Sequence, residues 1–394
     1  MPRRLRTHPS PVVFLCLFTS QAALLVLSPI LPEMAHEFGV STATAGQLRA
    51  VSGTAGGVTA LALAMAPRRP ALRELLTAGA ALVAGASALS AAAPTLPVMA
   101  GAQALLGAGV GTLVAAGIAA AGEWAEADER PKVLAWAIAG MPVAWIAGMP
   151  VVGAVSGVSW RLTWLAVPGV AALMALAMVR ARPAERAARR RVGPRASASV
   201  SAWRRPDVAR FALAELLANA AWASVLTYAG ALLIESYGLS ADVVALGLGA
   251  MAVAMLPGTF TARRHADRAT RGLLVAITTF QGGAVLVLGA VRPAVGLTLA
   301  VLAVMAFMNG WRTMVASTVG MEAVPDDRLT TMSLRAAANQ FGYLVGAAVG
   351  GAALAVGGFG ALGVVLAALF AAAVAIHLPE VVTPGVAVPR AVRS

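Results

Sequence analysis

The chain has 394 residues, 59% of them hydrophobic and only 12% charged, with a mean hydropathy of +0.80. Soluble domains carry about 25% charged residues, so this composition excludes an ordinary water-soluble fold. Thirty Lys and Arg against seventeen Asp and Glu leave a net charge of +13, whose meaning depends on where the basic residues fall.

Counting about 20 apolar residues per crossing, twelve helical spans are predicted, at 12–32, 43–65, 75–93, 96–122, 132–157, 161–179, 208–235, 242–262, 272–291, 295–320, 330–354 and 356–378. The runs are continuously rich in Ala, Leu and Val and lack the two-residue alternation of barrel strands. The expected fold is an all-α polytopic membrane protein. At its start, Pro-Arg-Arg-Leu-Arg before an apolar run resembles a secretory signal, but Pro29 and Pro32 end the run without a small-residue cleavage site, so an uncleaved first helix is expected. Cys16, the single cysteine, excludes an intramolecular disulfide.

Between the sixth and seventh spans lies a basic stretch with Pro, Ala and Ser and no apolar face long enough to cross. It divides the chain into a six-helix bundle at 1–179, a linker at 180–206 and a second six-helix bundle at 207–394. Parallel landmarks, Arg68 and Arg69 closing span two and Gly258 to Arg264 closing span eight, suggest an internal duplication. With the N-terminus inside, the inner segments hold 25 of the 30 Lys and Arg, ten of them from Arg180 to Arg210. That asymmetry follows the positive-inside rule. Both termini and the linker are expected in the cytoplasm of a cell with this protein in its plasma membrane, and the basicity is topological rather than a nucleic-acid surface.

Several short motifs recur in a telling order. Span one ends Pro29-Ile30-Leu31-Pro32, followed by Glu33-Met34-Ala35 and Glu37-Phe38-Gly39-Val40-Ser41. Span five carries Gly148-Met149-Pro150-Val151-Val152-Gly153, then Trp160-Arg161 and Trp164; span eleven carries Asn339-Gln340-Phe341-Gly342 with Gly346, Gly350 and Gly351. Together these resemble the twelve-span drug:proton antiporters of the major facilitator superfamily and its arabinose-efflux-like, sugar-efflux branch. The resemblance covers almost the whole chain. It implies two pseudo-symmetric six-helix bundles, a monomer, no cofactor, and alternating access for a small-molecule substrate exchanged against protons.

The departures are equally specific. Ala64-Met65-Ala66-Pro67-Arg68-Arg69 keeps the arginines of the family's loop between spans two and three but not its Gly and Asp, and Ala262 stands where the second copy would have an Asp. Gln103 and Leu106 stand where the span-four pattern has Arg and Gln, and no acid lies between Val12 and Pro32. Standard proton coupling therefore does not follow from the resemblance.

Charges inside a span cost about 2.5–3.5 kcal/mol each on insertion scales, so each needs a reason. Glu215 is the one acid well inside a span, and at a 3.6-residue period it shares a face of helix seven with Asn219 and Trp222. Arg312 and Asn309 share a face of helix ten, and Arg335 and Asn339 a face of helix eleven, so Glu215, Arg312 and Arg335 are expected at one depth near the cytoplasmic side. Two readings follow: a proton-coupling or gating centre in which Glu215 alternates between protonated and Arg-paired states, and a permanent structural ion pair. The family's cavity is lined by the first and fourth helices of each half and their neighbours, which implies Gln21, Gln103, Asn219, Trp222, Tyr228 and Asn309 for the substrate path. For Gln21, Gln103 and Asn309 the competing reading is an interhelical hydrogen bond worth about 0.6 kcal/mol. Trp136 and Trp145 are expected to pack against lipid or neighbouring helices.

Pro29, Pro32, Gly148 and Pro150 are candidate hinges, with close packing as the other account of Gly148. Arg49 is expected either to gate with Glu33 or Glu37 or to snorkel to water. An integral-membrane enzyme would need a constellation of His, Asp or Glu; His8, His36, His265 and His377 are scattered, and no metal site is expected. No phosphate-binding Gly-rich loop with Lys is present either. The expectation is thus an exporter of a small amphiphilic compound, a drug or metabolite, with a sugar, amino acid or organic anion as the alternative substrate.

Overall fold

A computed structural model describes residues 8–65, 70–126, 128–182, 206–264, 270–292, 294–323 and 328–382. Most of the linker, together with Arg3, Arg4, Arg6, Arg68, Arg69, His265, Arg268, Arg390 and Arg393, lies outside the described residues.

Among the described residues, ten helices are long and apolar enough to cross a membrane, and they share one all-helical assembly. Span one is Pro9–Glu37, three is Leu72–Ala92, four is Leu96–Glu123, five is Arg130–Ser156, and six is Trp160–Ala181. Seven is Pro206–Tyr237, eight is Ala241–Arg264, nine is Arg271–Ala290 and ten is Val295–Ala323. The last helix, Arg328–Val382, holds two crossings, eleven and twelve, because Gly357 (φ −148°, ψ 25°) and Gly358 (φ 60°, ψ −157°) break it. A positive φ of that kind is open to glycine at little steric cost. Span two, made of Thr42–Gly46 and Leu48–Met65, completes the twelve.

Span one departs from expectation in its ending. Pro29 and Pro32 do not stop it; the helix continues to Glu37, and its ladder is interrupted instead at Val26, which keeps helical dihedrals (φ −59°, ψ −40°). Proline has no N–H for the carbonyl four residues back, so Pro29 leaves the Leu25 carbonyl without its helical donor just before that point. Span five runs unbroken through Pro142, Gly148 and Pro150.

The two halves repeat one packing scheme. Span one packs on five, two on four and three on six; correspondingly, seven packs on eleven, eight on ten and nine on twelve. The halves meet where five lies against eight and two against eleven, with one against seven between them. Toward the end opposite the linker, three hydrogen bonds among the described residues cross this divide: Thr42 Oγ1 donates to Glu235 Oε1 (2.6 Å), Gln47 Nε2 to the Ala347 carbonyl (3.0 Å), and the Gly230 N–H to Ser28 Oγ (3.2 Å). The backbones are so close there that a side chain on Gly230 would collide with the Ser28 carbonyl.

Candidate functional site

Span seven is an Ala-rich helix whose polar residues fall on its buried face. Glu215, Asn219 and Trp222 are all buried there. At 1.5 Å per residue, Glu215, Arg312 and Arg335 lie about 10–17 Å along their helices from the linker-side ends. The structure brings these three together. Arg312 Nη1 donates to Glu215 Oε1 at 2.6 Å and Arg335 Nε to Glu215 Oε2 at 2.9 Å, so each carboxylate oxygen holds one guanidinium. The Glu215 and Arg312 side chains are 1% and 2% exposed, whereas that of Arg335 is 17% exposed.

The arginines are fastened from behind. Arg312 Nη2 donates to Asn219 Oδ1 (3.1 Å), and Arg335 donates to Ser317 Oγ (3.0 Å) and to the Thr313 carbonyl (3.1 Å). Ser317 and Thr313 escape a sequence reading because serine and threonine in a span usually bond their own helix; Ser317 does that too, donating to the Thr313 carbonyl. Arg312 Nε and Asn309 Oδ1 are buried without partners among the described residues. Three helices of the second half thus meet at one carboxylate, and a shift of span seven against ten or eleven must break a charge-assisted bond.

The other expected residues scatter. Gln21, half-buried in span one, accepts a hydrogen bond from Trp145 Nε1 of span five (3.3 Å), so Trp145 packs inward while Trp136 is 52% exposed. Tyr228 donates to the Ala347 carbonyl (3.0 Å) and abuts Gly46 of the opposite half, in the seal away from the linker. Gln103 is fully buried, with Nε2 on Ser90 Oγ of span three (3.3 Å), inside its own bundle. Gly148 packs against Leu25 and Val167, and Pro150 lies beside Gly249 of span eight. Pro29 lies in the span-one seal beside Gly230, and Pro32 stays within the helix.

Arg49 corrects its expectation. It neither snorkels nor pairs with Glu33 or Glu37: it is 1% exposed, donates to the Leu24 carbonyl, and lies over the Tyr343 ring of span eleven at 5.7 Å. Glu37 pairs instead with Arg161 (2.5 Å), while Trp160 Nε1 donates to its other oxygen (2.5 Å). Arg49 sits one turn below the short helix Thr42–Gly46 and is buried against span one, where the Leu24 carbonyl accepts from it.

The sequence profile for the Major Facilitator Superfamily matches residues 13–310. A chloramphenicol resistance protein of Streptomyces lividans is 29% identical over 254 residues, 61% of this chain and 64% of that protein, so the match spans less than two thirds of the relative's length. Among solved structures, the nucleoside transporter NupG superposes with a TM-score of 0.76 at 13% identity, over 95% of this chain and 99% of that one. A D-xylose-proton symporter gives 0.73 at 16% identity (92% and 96%), and a bacterial homologue of the human lysosomal transporter Spinster, inward-facing and unoccupied, gives 0.70 at 14% identity (97% and 96%). At such identities the structural likeness establishes the fold, and the profile match establishes the kinship. This chain belongs to the Major Facilitator Superfamily, whose members carry small molecules across the bilayer.

Proposed function

We propose that the protein exports a small amphiphilic compound in exchange for protons, with Glu215 as the coupling group. The observation that carries this reading is the engagement of both Glu215 oxygens by Arg312 and Arg335 in a buried site joining spans seven, ten and eleven. Protonation removes the charge that holds both guanidiniums, so it loosens the contacts that join span seven to spans ten and eleven. Breaking one side of a buried pair costs about 3–5 kcal/mol, enough to move a two-state equilibrium from one side to the other.

In this scheme the two halves rock against each other, opening and closing the seal formed by Ser28, Gln47, Tyr228 and Gly230. The positive-inside bias makes the linker side cytoplasmic, so the sealed end faces outward in the plasma membrane and substrate loads from within. Asn309 and Trp222, on helices that hold the cluster, contact the substrate. Export is supported by the Pro29 to Pro32 motif and by the name of the Streptomyces lividans relative.

The test is efflux of a panel of cationic, neutral and anionic compounds, sugars included, from cells lacking their own pumps, with and without a protonophore. Protein-dependent efflux that collapses with the gradient is expected. In Glu215→Gln, gradient-driven transport is expected to vanish while substrate binding stays measurable; wild-type rates in that variant would remove Glu215 from coupling.

A further inference from the structure

Among the described residues, buried charge does not balance. The membrane-buried cluster and span two together place three guanidiniums, Arg49, Arg312 and Arg335, against the one described carboxylate there, Glu215. Arg312 and Arg335 share that carboxylate. Arg49 has no carboxylate among the described residues, and two of its nitrogens, Nε and Nη1, are buried without hydrogen-bond partners. Its one bond is from Nη2 to the Leu24 carbonyl, a neutral acceptor.

An unpaired charge out of water costs several kcal/mol. A guanidinium kept there with Nε and Nη1 unused suits an oxyanion, because the second N–H of Nη2 still completes one edge of its fork. The position favours a travelling ligand over a fixed one. Arg49 is held on one side by span one of its own half, and on the other it meets Tyr343 and Tyr228 of the opposite half. One turn farther out, Gln47 reaches Ala347 and Gly46 meets Tyr228 across the same divide. When the halves part, the Tyr343 ring leaves the guanidinium and the site opens to the gap, with Tyr228 and Tyr343 beside it to suit an apolar body.

We propose that Arg49 is the anion-recognition site of the transported compound, which carries one carboxylate or comparable oxyanion on an amphiphilic, aromatic-compatible frame. The inference rests on the transporter reading for the existence of a small-molecule substrate, and it is independent of proton coupling. Arg49 sets charge preference by touching the substrate, whereas the Glu215 cluster sets drive.

The test uses the purified full-length chain in detergent at fixed ionic strength, titrated with benzoate, neutral benzamide and cationic benzylamine while the unfolding midpoint is followed. Benzoate is expected to bind at least tenfold tighter than benzamide, with benzylamine weakest. In Arg49→Met and Arg49→Gln the preference for benzoate should fall to within twofold of unity, with benzamide affinity unchanged. No benzoate-dependent rise in the wild type, equal affinities for the acid and the amide, or a preference kept in both variants would overturn the assignment. Failure of both variants to fold would overturn it too, since Arg49 would then be a structural strut. No gradient is present in this assay, so its failure leaves gradient-driven export standing, and a gradient-insensitive transporter leaves the anion preference standing.

Discussion

The two halves handle buried charge in opposite ways. In the second half, Glu215 sits between Arg312 and Arg335, and the back of each arginine is tied to Asn219 or to Thr313 and Ser317. In the first half, Arg49 is as deeply buried and has only a carbonyl and a ring. The two halves share one fold but place their buried charge at different points in it, and among the described residues only the second half holds a counter-ion for its buried arginines. Since a paired ion resists removal of its partner and an unpaired one does not, the two sites should answer opposite ways to the same kind of substitution.

The largest effect is expected from Glu215→Ala, which strands two guanidiniums: a loss of about 3–5 kcal/mol of stability, read as a fall in the unfolding midpoint. Arg312→Met should cost more than Arg335→Met, because Arg312 is the more deeply buried and also holds Asn219; equal midpoints for the two would show that the cluster does not rank by burial. Arg49→Met sharpens the contrast from the other side, with stability expected within about 1 kcal/mol of wild type or higher, because the cost of keeping an unpaired charge out of water goes with it. Trp222→Phe and Asn309→Ala should shift substrate affinity with a smaller change in the midpoint, and unchanged dose-response curves across several transported compounds would remove both from the path. The smallest change is expected from Gln103→Leu, about 0.6 kcal/mol, because its hydrogen bond to Ser90 lies within one bundle; a large transport defect there would place Gln103 on the path after all.

Much of this was legible from residue order alone. Twelve apolar runs with arginines on one side of them dictate a polytopic helical protein, because lipid offers the backbone no other partner than its own helix. The face shared by Glu215, Asn219 and Trp222 follows from the helical period, and so does the common depth of Glu215, Arg312 and Arg335. These are local properties of a helix of known length in a slab of known thickness.

What the sequence by itself determined was therefore which residues cross the membrane, at what depth, and on which helix face. Only the tertiary structure decided which faces meet. It turned Gln103 toward Ser90, folded Trp145 inward onto Gln21, carried span one past Pro29 and Pro32, and sank Arg49 under Tyr343 when its position near a helix end suggested water. The physical reason is that contact between helices depends on packing between segments up to 300 residues apart, as Gln47 and Ala347 are, and no period within one span encodes the partner.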